Sequence, residues 1–177
     1  MKLSVIIPYW NPDGNAQTDA LLQRAVRSAQ DSNPYEIIVV NDGSPSDPDL
    51  TSFPQVKYLR REHGMLGATR NTGIEAATGD AISFLDADDY YYPGALKPCL
   101  EAMEAADADL LGFGHSITTN ADSIDTSVLA AAPHFHAPSQ ATSSCAVTTS
   151  LAAPARDRKS TRLNSSHQGA SRMPSSA

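Results

Sequence analysis

The feature that most constrains this chain is a thrice-repeated pattern in which a short apolar, β-branched run stops abruptly in a polar, turn-forming cluster. Leu3-Ser4-Val5-Ile6-Ile7-Pro8 gives way to Tyr9-Trp10-Asn11, Glu36-Ile37-Ile38-Val39-Val40 to Asn41-Asp42-Gly43-Ser44, and Ala81-Ile82-Ser83-Phe84-Leu85 to Asp86-Ala87-Asp88-Asp89. Such runs, with little polar alternation, belong to parallel strands buried on both faces. Helical patterns lie between them. From a predicted N-cap at Thr18, Leu21, Leu22, Ala25, Val26 and Ala29 recur at helical spacing until Asn33-Pro34. A small-residue helix is expected from Gly64 through Thr78, and another from Pro93, placed in its first turn, to about Ala106. Val56-Lys57-Tyr58-Leu59 and Leu110-Leu111-Gly112-Phe113-Gly114 complete the strands. Alternation of this kind predicts an α/β fold with a mostly parallel sheet and flanking helices.

In open sheets of this type, ligands bind beyond the carboxyl ends of the strands. All three polar clusters fall there, which points to one shared site. The most chemical of them is Asp86-Ala87-Asp88-Asp89. In extended backbone, residues i and i+2 face the same side, so Asp86 and Asp88 are expected to converge on one ligand. Two hard carboxylates with room for water suit Mg²⁺ or Mn²⁺ completed by phosphate oxygens. Asp89 faces the other way and reads as a supporting or helix-start residue.

Charge divides the chain. The total is −7, yet residues 1–116 hold 17 acidic and 8 basic side chains, while residues 157–177 hold one acidic and four basic. The acidic first segment argues against a nucleic-acid partner held through its phosphates. Cys99 and Cys145 share no metal-ligand spacing and imply no disulfide framework, and no apolar run approaches the roughly 18 residues that span a bilayer. Between the two charged segments, 25 of the 40 residues from 117 to 156 are Ala, Ser, Thr or Pro, and no period persists. The expected organisation is therefore a domain over 1–116, a low-complexity segment of doubtful order over 117–156, and a tail over 157–177. Residues 157–167 resemble one reading frame of a sequencing-library adapter and residues 171–177 its continuation, with Gln168-Gly169-Ala170 where a sample barcode falls. On that resemblance the tail is expected to be an artefact, and the chain an incomplete product of a gene that continues past Arg156.

Four motifs in order carry a second resemblance: Val5-Ile6-Ile7-Pro8-Tyr9-Trp10-Asn11, Ile37-Ile38-Val39-Val40-Asn41-Asp42-Gly43-Ser44, Gly67-Ala68-Thr69-Arg70-Asn71-Thr72-Gly73-Ile74 and Phe84-Leu85-Asp86-Ala87-Asp88-Asp89. Together they resemble the family 2 glycosyltransferases, over residues 1 to about 115, with Asn41 where an Asp is usual. The resemblance implies the GT-A fold, in its nucleotide-diphospho-sugar-binding half. It implies an inverting transfer from a nucleotide-diphosphate sugar, UDP-linked, to a glycan or lipid-linked acceptor. The setting it implies is the cytoplasm, with peripheral contact at the inner membrane face left open for the full-length enzyme. Asp42 would accept the imide N–H of the base. Pro8 and Tyr9, with Asn11, would shape the nucleoside pocket, the tyrosine ring stacking on base or ribose. Arg70 would bind phosphate or base oxygens, Asp86 the ribose or metal-bound water, and Asp88 the metal.

The resemblance assigns no catalytic base: the family's acceptor half finds no match after residue 116, so a chain that binds donor but transfers little is expected. Asp122 and Asp125 read as loop residues, as does His63. His115, at a strand end, faces the acceptor side only as a weaker reading, and His134 and His136, at i and i+2, lack a third metal ligand. Two rivals stand beside this reading. A nucleotidyltransferase would open on a Gly-rich basic loop, which residues 8–15 lack. A receiver-like signalling domain would set a Lys at a late strand end, whereas Lys97 falls in a predicted helix.

Overall fold

The computed structural model describes residues 1–112 and 150–152. His115, Asp122, Asp125, His134, His136, Cys145 and the tail at 157–177 lie outside the described residues. The elements run β1 (Leu3–Tyr9), α1 (Ala16–Asp31), β2 (Glu36–Asn41), β3 (Lys57–Arg60), α2 (Met65–Ala76), β4 (Ala81–Phe84), α3 (Leu96–Ala105), β5 (Leu110–Gly112) and β6 (Ser150–Ala152). They form one sheet of order β3-β2-β1-β4-β6-β5. β1 is parallel to both β2 and β4, and β2 to β3, while β6 runs antiparallel between β4 and β5.

The fully apolar strands behave as their composition requires. Every residue of β1 is buried, because alternate side chains serve two different cores. Leu3, Val5, Ile7 and Tyr9 pack with Leu22, Ala25, Val26 and Ala29 of α1 and with Leu96 and Met103 of α3. Ile6 faces the other way, joining Ile38, Val40, Ile82 and Ile74 of α2. Burial of these branched side chains, worth about 1.5–3 kcal/mol each, is what holds the helices to the sheet.

Three differences from the sequence reading exceed a residue or two. Helix α1 starts at Ala16 rather than at Thr18, because Asn15 is the N-cap and its side chain accepts the Gln17 N–H at 2.9 Å. Helix α3 starts at Leu96, leaving Pro93 outside its first turn; Gly94, at φ +75°, breaks the chain between them. The third difference is larger. No core element was expected within residues 117–156, yet Ser150–Ala152 forms β6 inside the sheet. A three-residue strand of Ser, Leu and Ala carries no period that could announce it.

Candidate functional site

The parallel register brings the carboxyl ends of four strands to one edge. Tyr9 pairs with Asn41, Asn41 with Arg60, and Ile6 with Phe84. Backbone bonds extend this ladder past the strands: Asp42 N–H donates to Tyr9 O at 2.8 Å, Arg61 N–H to Asn41 O at 3.0 Å, and Leu85 N–H to Ile6 O at 3.0 Å. The residues that follow are therefore fixed relative to one another by the sheet itself.

Asp42 stands at the centre of this edge. Its side chain is 5% exposed, and Oδ1 takes hydrogen bonds from the Arg61 guanidinium and, at 3.0 Å, from Gly64 N–H. Oδ2 lies 2.9 Å from Nδ1 of His63. The His63 ring stacks on the exposed Trp10, with centroids 4.8 Å apart and planes at 23°. Gly43 makes this possible. At φ +82° it adopts a conformation costly for other residues, and a Cβ there would stand 2.7 Å from His63 N, so only glycine lets the β3–α2 connection approach so closely.

On the other side of the edge, Arg70 of α2 donates from Nη2 to Asp86 Oδ1 at 2.7 Å, with its guanidinium carbon 5.3 Å from the centre of the Phe84 ring. Nε of Arg70 is buried without a hydrogen-bond partner in the structure. Asp86 and Asp88 do not converge through strand alternation as expected, because β4 ends at Phe84 and residues 86–89 form a turn closed by Asp89 N–H to Asp86 O at 3.0 Å. Asp88 is exposed on that turn, and its backbone carbonyl accepts from Arg24. Among the described residues no group of three or more His, Cys, Asp or Glu could hold a metal by itself. Asp86 and Asp88 still offer two hard oxygen donors on one turn, the donor type that Mg²⁺ and Mn²⁺ take.

Two expected pocket residues are turned elsewhere. Tyr9 shares the parity of Val5 and Ile7, so its ring lies in the core facing α1 rather than at the site, and its hydroxyl donates to Asp19. Burial first, and that hydrogen bond second, push the Tyr9 phenol above its ordinary pKa. The aromatic surface at this edge belongs instead to its neighbour Trp10. Asn11 is also 2% exposed: its Nδ2 donates to Asn15 O and Asp19 Oδ1, its Oδ1 accepts from Asn15 N–H, and its backbone N–H donates to Ser44 Oγ. It ties the loops after β1 and β2 together, with its Nδ2 hydrogens spent on Asn15 and Asp19. Pro8 is buried within β1. The residue that sequence reasoning passed over is Arg61. An arginine in the charged run Arg60-Arg61-Glu62-His63 reads as surface, and only its position one step past the end of β3 separates it from its neighbours.

Comparison with known proteins decides the family. The model of glycosyl transferase family 2 matches residues 4–131, most of the chain. The chain belongs to glycosyl transferase family 2. The match runs past residue 116 into the Ala-, Ser-, Thr- and Pro-rich segment, so the family pattern extends further than the four motifs alone indicated. Over 117 residues this family 2 chain is 36% identical to the uncharacterized glycosyltransferase YibD of Escherichia coli (strain K12), covering 62% of the chain and 32% of that protein. Over 119 residues it is 32% identical to the succinoglycan biosynthesis protein ExoW of Rhizobium meliloti (strain 1021), covering 61% and 36%. It spans about a third of the length of these curated relatives. The crystal structure of residues 1–349 of Staphylococcus aureus TarS in complex with UDP has the same fold, with a TM-score of 0.57 at 23% identity over 68% of this chain and 37% of that one. The complex of the same protein with UDP-GlcNAc gives 0.55 at 24% over 68% and 36%. These findings favour neither a nucleotidyltransferase nor a receiver domain.

Proposed function

We propose that this edge of the sheet is the donor site of an inverting sugar transferase that takes a UDP-sugar and passes the sugar to a glycan or lipid-linked acceptor. The observation that carries the reading is Asp42: a buried, ion-paired carboxylate with one oxygen pinned and the other directed toward the exposed ring pair of Trp10 and His63. That is the arrangement a planar base with a ring N–H needs, a directed acceptor beside an aromatic face. Pro8 underlies this pocket, and Trp10 takes the stacking role. In this reading Arg70 would meet the diphosphate and Asp86 the ribose. Asp88, with Asp86, would hold Mg²⁺ or Mn²⁺, whose chemistry is to neutralise the departing diphosphate. The family relationship and the UDP and UDP-GlcNAc complexes of TarS support a uridine donor, and the description of ExoW supports a role in polysaccharide assembly. Among the described residues no helix is long and apolar enough to cross a membrane, and we place the domain on the cytoplasmic side, where peripheral membrane contact would bring it to a lipid-linked acceptor.

Thermal unfolding in the presence of UDP, CTP or acetyl phosphate, each with and without Mn²⁺, tests the reading. UDP with Mn²⁺ should raise the melting temperature; at a hundred times its Kd it adds about 2.7 kcal/mol. Asp88→Ala should remove the Mn²⁺-dependent part. No response to UDP rejects the proposal, a response to CTP alone favours a nucleotidyltransferase, and one to acetyl phosphate alone favours a receiver domain.

A further inference from the structure

We infer that Arg61 is a positioning residue for base recognition, one that fixes the Asp42 carboxylate so that its second oxygen selects uracil over cytosine. The inference rests on reading this edge as a UDP-sugar site, and it concerns how that site discriminates.

Arg61 follows the last residue of β3, and its backbone continues the ladder to Asn41, so its Cα is held by the sheet. From there the guanidinium turns back to Oδ1 of Asp42, the oxygen that also receives the Gly64 N–H at 3.0 Å. The Arg61 side chain is 24% exposed and that of Asp42 only 5%, so the pair is largely withdrawn from water. A buried carboxylate needs a cation and hydrogen bonds to stay ionised. Here both converge on a single oxygen. Two donors on Oδ1 also stop the carboxylate from turning about its last torsion, which fixes the direction in which Oδ2 offers its lone pairs. Gly64 belongs to the same device: a Cβ on it would run into the guanidinium, which would have to shift from its present seat.

Oδ2 is held differently. The partner the structure gives it is His63, whose side chain is 45% exposed and rests on an exposed tryptophan. A ring of this kind can be displaced by a base that brings its own N–H and its own stacking face. An ionised carboxylate only accepts hydrogen bonds. Uracil presents a donor at N3, whereas cytosine presents a lone pair there, so a fixed Oδ2 rewards the first and repels the second. An acceptor that can turn away loses that discrimination.

The test is calorimetric titration of the full 177-residue chain with UDP and with CDP, both with Mn²⁺, for the unaltered protein, Arg61→Met and Arg61→Lys. The unaltered protein should prefer UDP. Arg61→Met should lose about tenfold in UDP affinity, the cost of a misaligned bond to a charged acceptor, while CDP changes little and the UDP:CDP ratio falls toward one. Arg61→Lys keeps the charge without the fork and should give an intermediate ratio. A merely structural arginine would weaken both nucleotides by the same factor; that result, or an unchanged ratio, overturns the inference while leaving the donor site standing. If Arg61→Met does not fold by circular dichroism, the ratio in Arg61→Lys decides alone, and an unchanged value overturns the inference. Failure of the unaltered chain to bind UDP overturns the donor-site reading and this inference with it.

Discussion

Replacing Gly73 with Ala places two known effects in opposition and lets the structure decide which wins. In a helix interior the change is ordinarily favourable by about 1 kcal/mol, because alanine restricts the unfolded chain and suits the helix. Gly73, however, lies in α2 where it presses on β1, and a Cβ there would strike Cγ2 of Ile6, with Cγ1 and Cδ1 at 3.2 and 3.3 Å. Ile6 is completely buried between Ile38, Ile74 and Ile82 and cannot step aside. Overpacking of this kind costs about 1–3 kcal/mol. The balance is a net loss of about 1 kcal/mol, or about 4 °C in melting temperature for a domain of this size. Arg70 sits three residues earlier on the same helix face, so lifting α2 also moves its guanidinium off Asp86, and UDP affinity should fall. Thermal melts followed by circular dichroism provide the check, with Ile6→Ala as a second background. That change removes all three obstructing carbons, so Gly73→Ala should reverse sign there and stabilise by about 1 kcal/mol. The same sign in both backgrounds would refute the packing argument.

Two further outcomes are expected. Trp10 is 51% exposed, so Trp10→Ala should leave the melting temperature nearly unchanged while weakening UDP by about tenfold or more, with Trp10→Phe restoring most of the loss; an unaffected titration would remove the stacking role. At the opposite end of the sheet, Glu36 accepts from Ser4 Oγ at 2.6 Å, Thr78 N–H at 2.6 Å and Gly79 N–H at 3.2 Å. Partial burial opposes ionisation, but these hydrogen bonds and the nearby Lys57 outweigh it and hold the Glu36 carboxyl below its ordinary pKa. A carboxyl depressed in the folded state stabilises above its unfolded value, about 4.3, and loses that contribution as the pH falls through the folded value. Glu36→Gln should therefore lower the melting temperature at pH 7 and flatten its decline on acidification below about pH 4.3; parallel pH profiles would count against the assignment.

Much of this architecture could be read from residue types. β1, β2 and β4 announce themselves as branched apolar runs, and Asp42 and Asp86 could be placed at one edge because parallel strands send all their carboxyl ends the same way, whereas Arg70, on helix α2, was brought to that edge only by the family resemblance. What could not be read follows from the same physics. A strand buried on both faces has no polar alternation, so nothing in Pro8-Tyr9-Trp10-Asn11 states which ring enters the core and which stays at the site. The stacking ring was accordingly expected at Tyr9, which enters the core, while Trp10 is the ring left exposed at this edge. Arg61 was hidden because a charged residue near a strand end has no periodic signature, and only the fold brings its guanidinium to a carboxylate nineteen positions earlier. The turn at 86–89 escaped because the short β4 ends before its acidic cluster begins.

The placement of β6 bears on the order in which the protein is made. Strand β5 meets the sheet through β6, and β6 is the last described element to leave the ribosome, whereas every residue assigned to the donor site, from Pro8 to Asp88, has by then been synthesised. β1 to β4 pair through connections that close as the chain emerges, at about 5–20 residues per second. If the proposed donor site is right, nucleotide present during synthesis would meet that edge while half of the strand order beyond β4 is still missing, and by mass action it would favour the nascent sheet until the antiparallel strand arrives to dock β5.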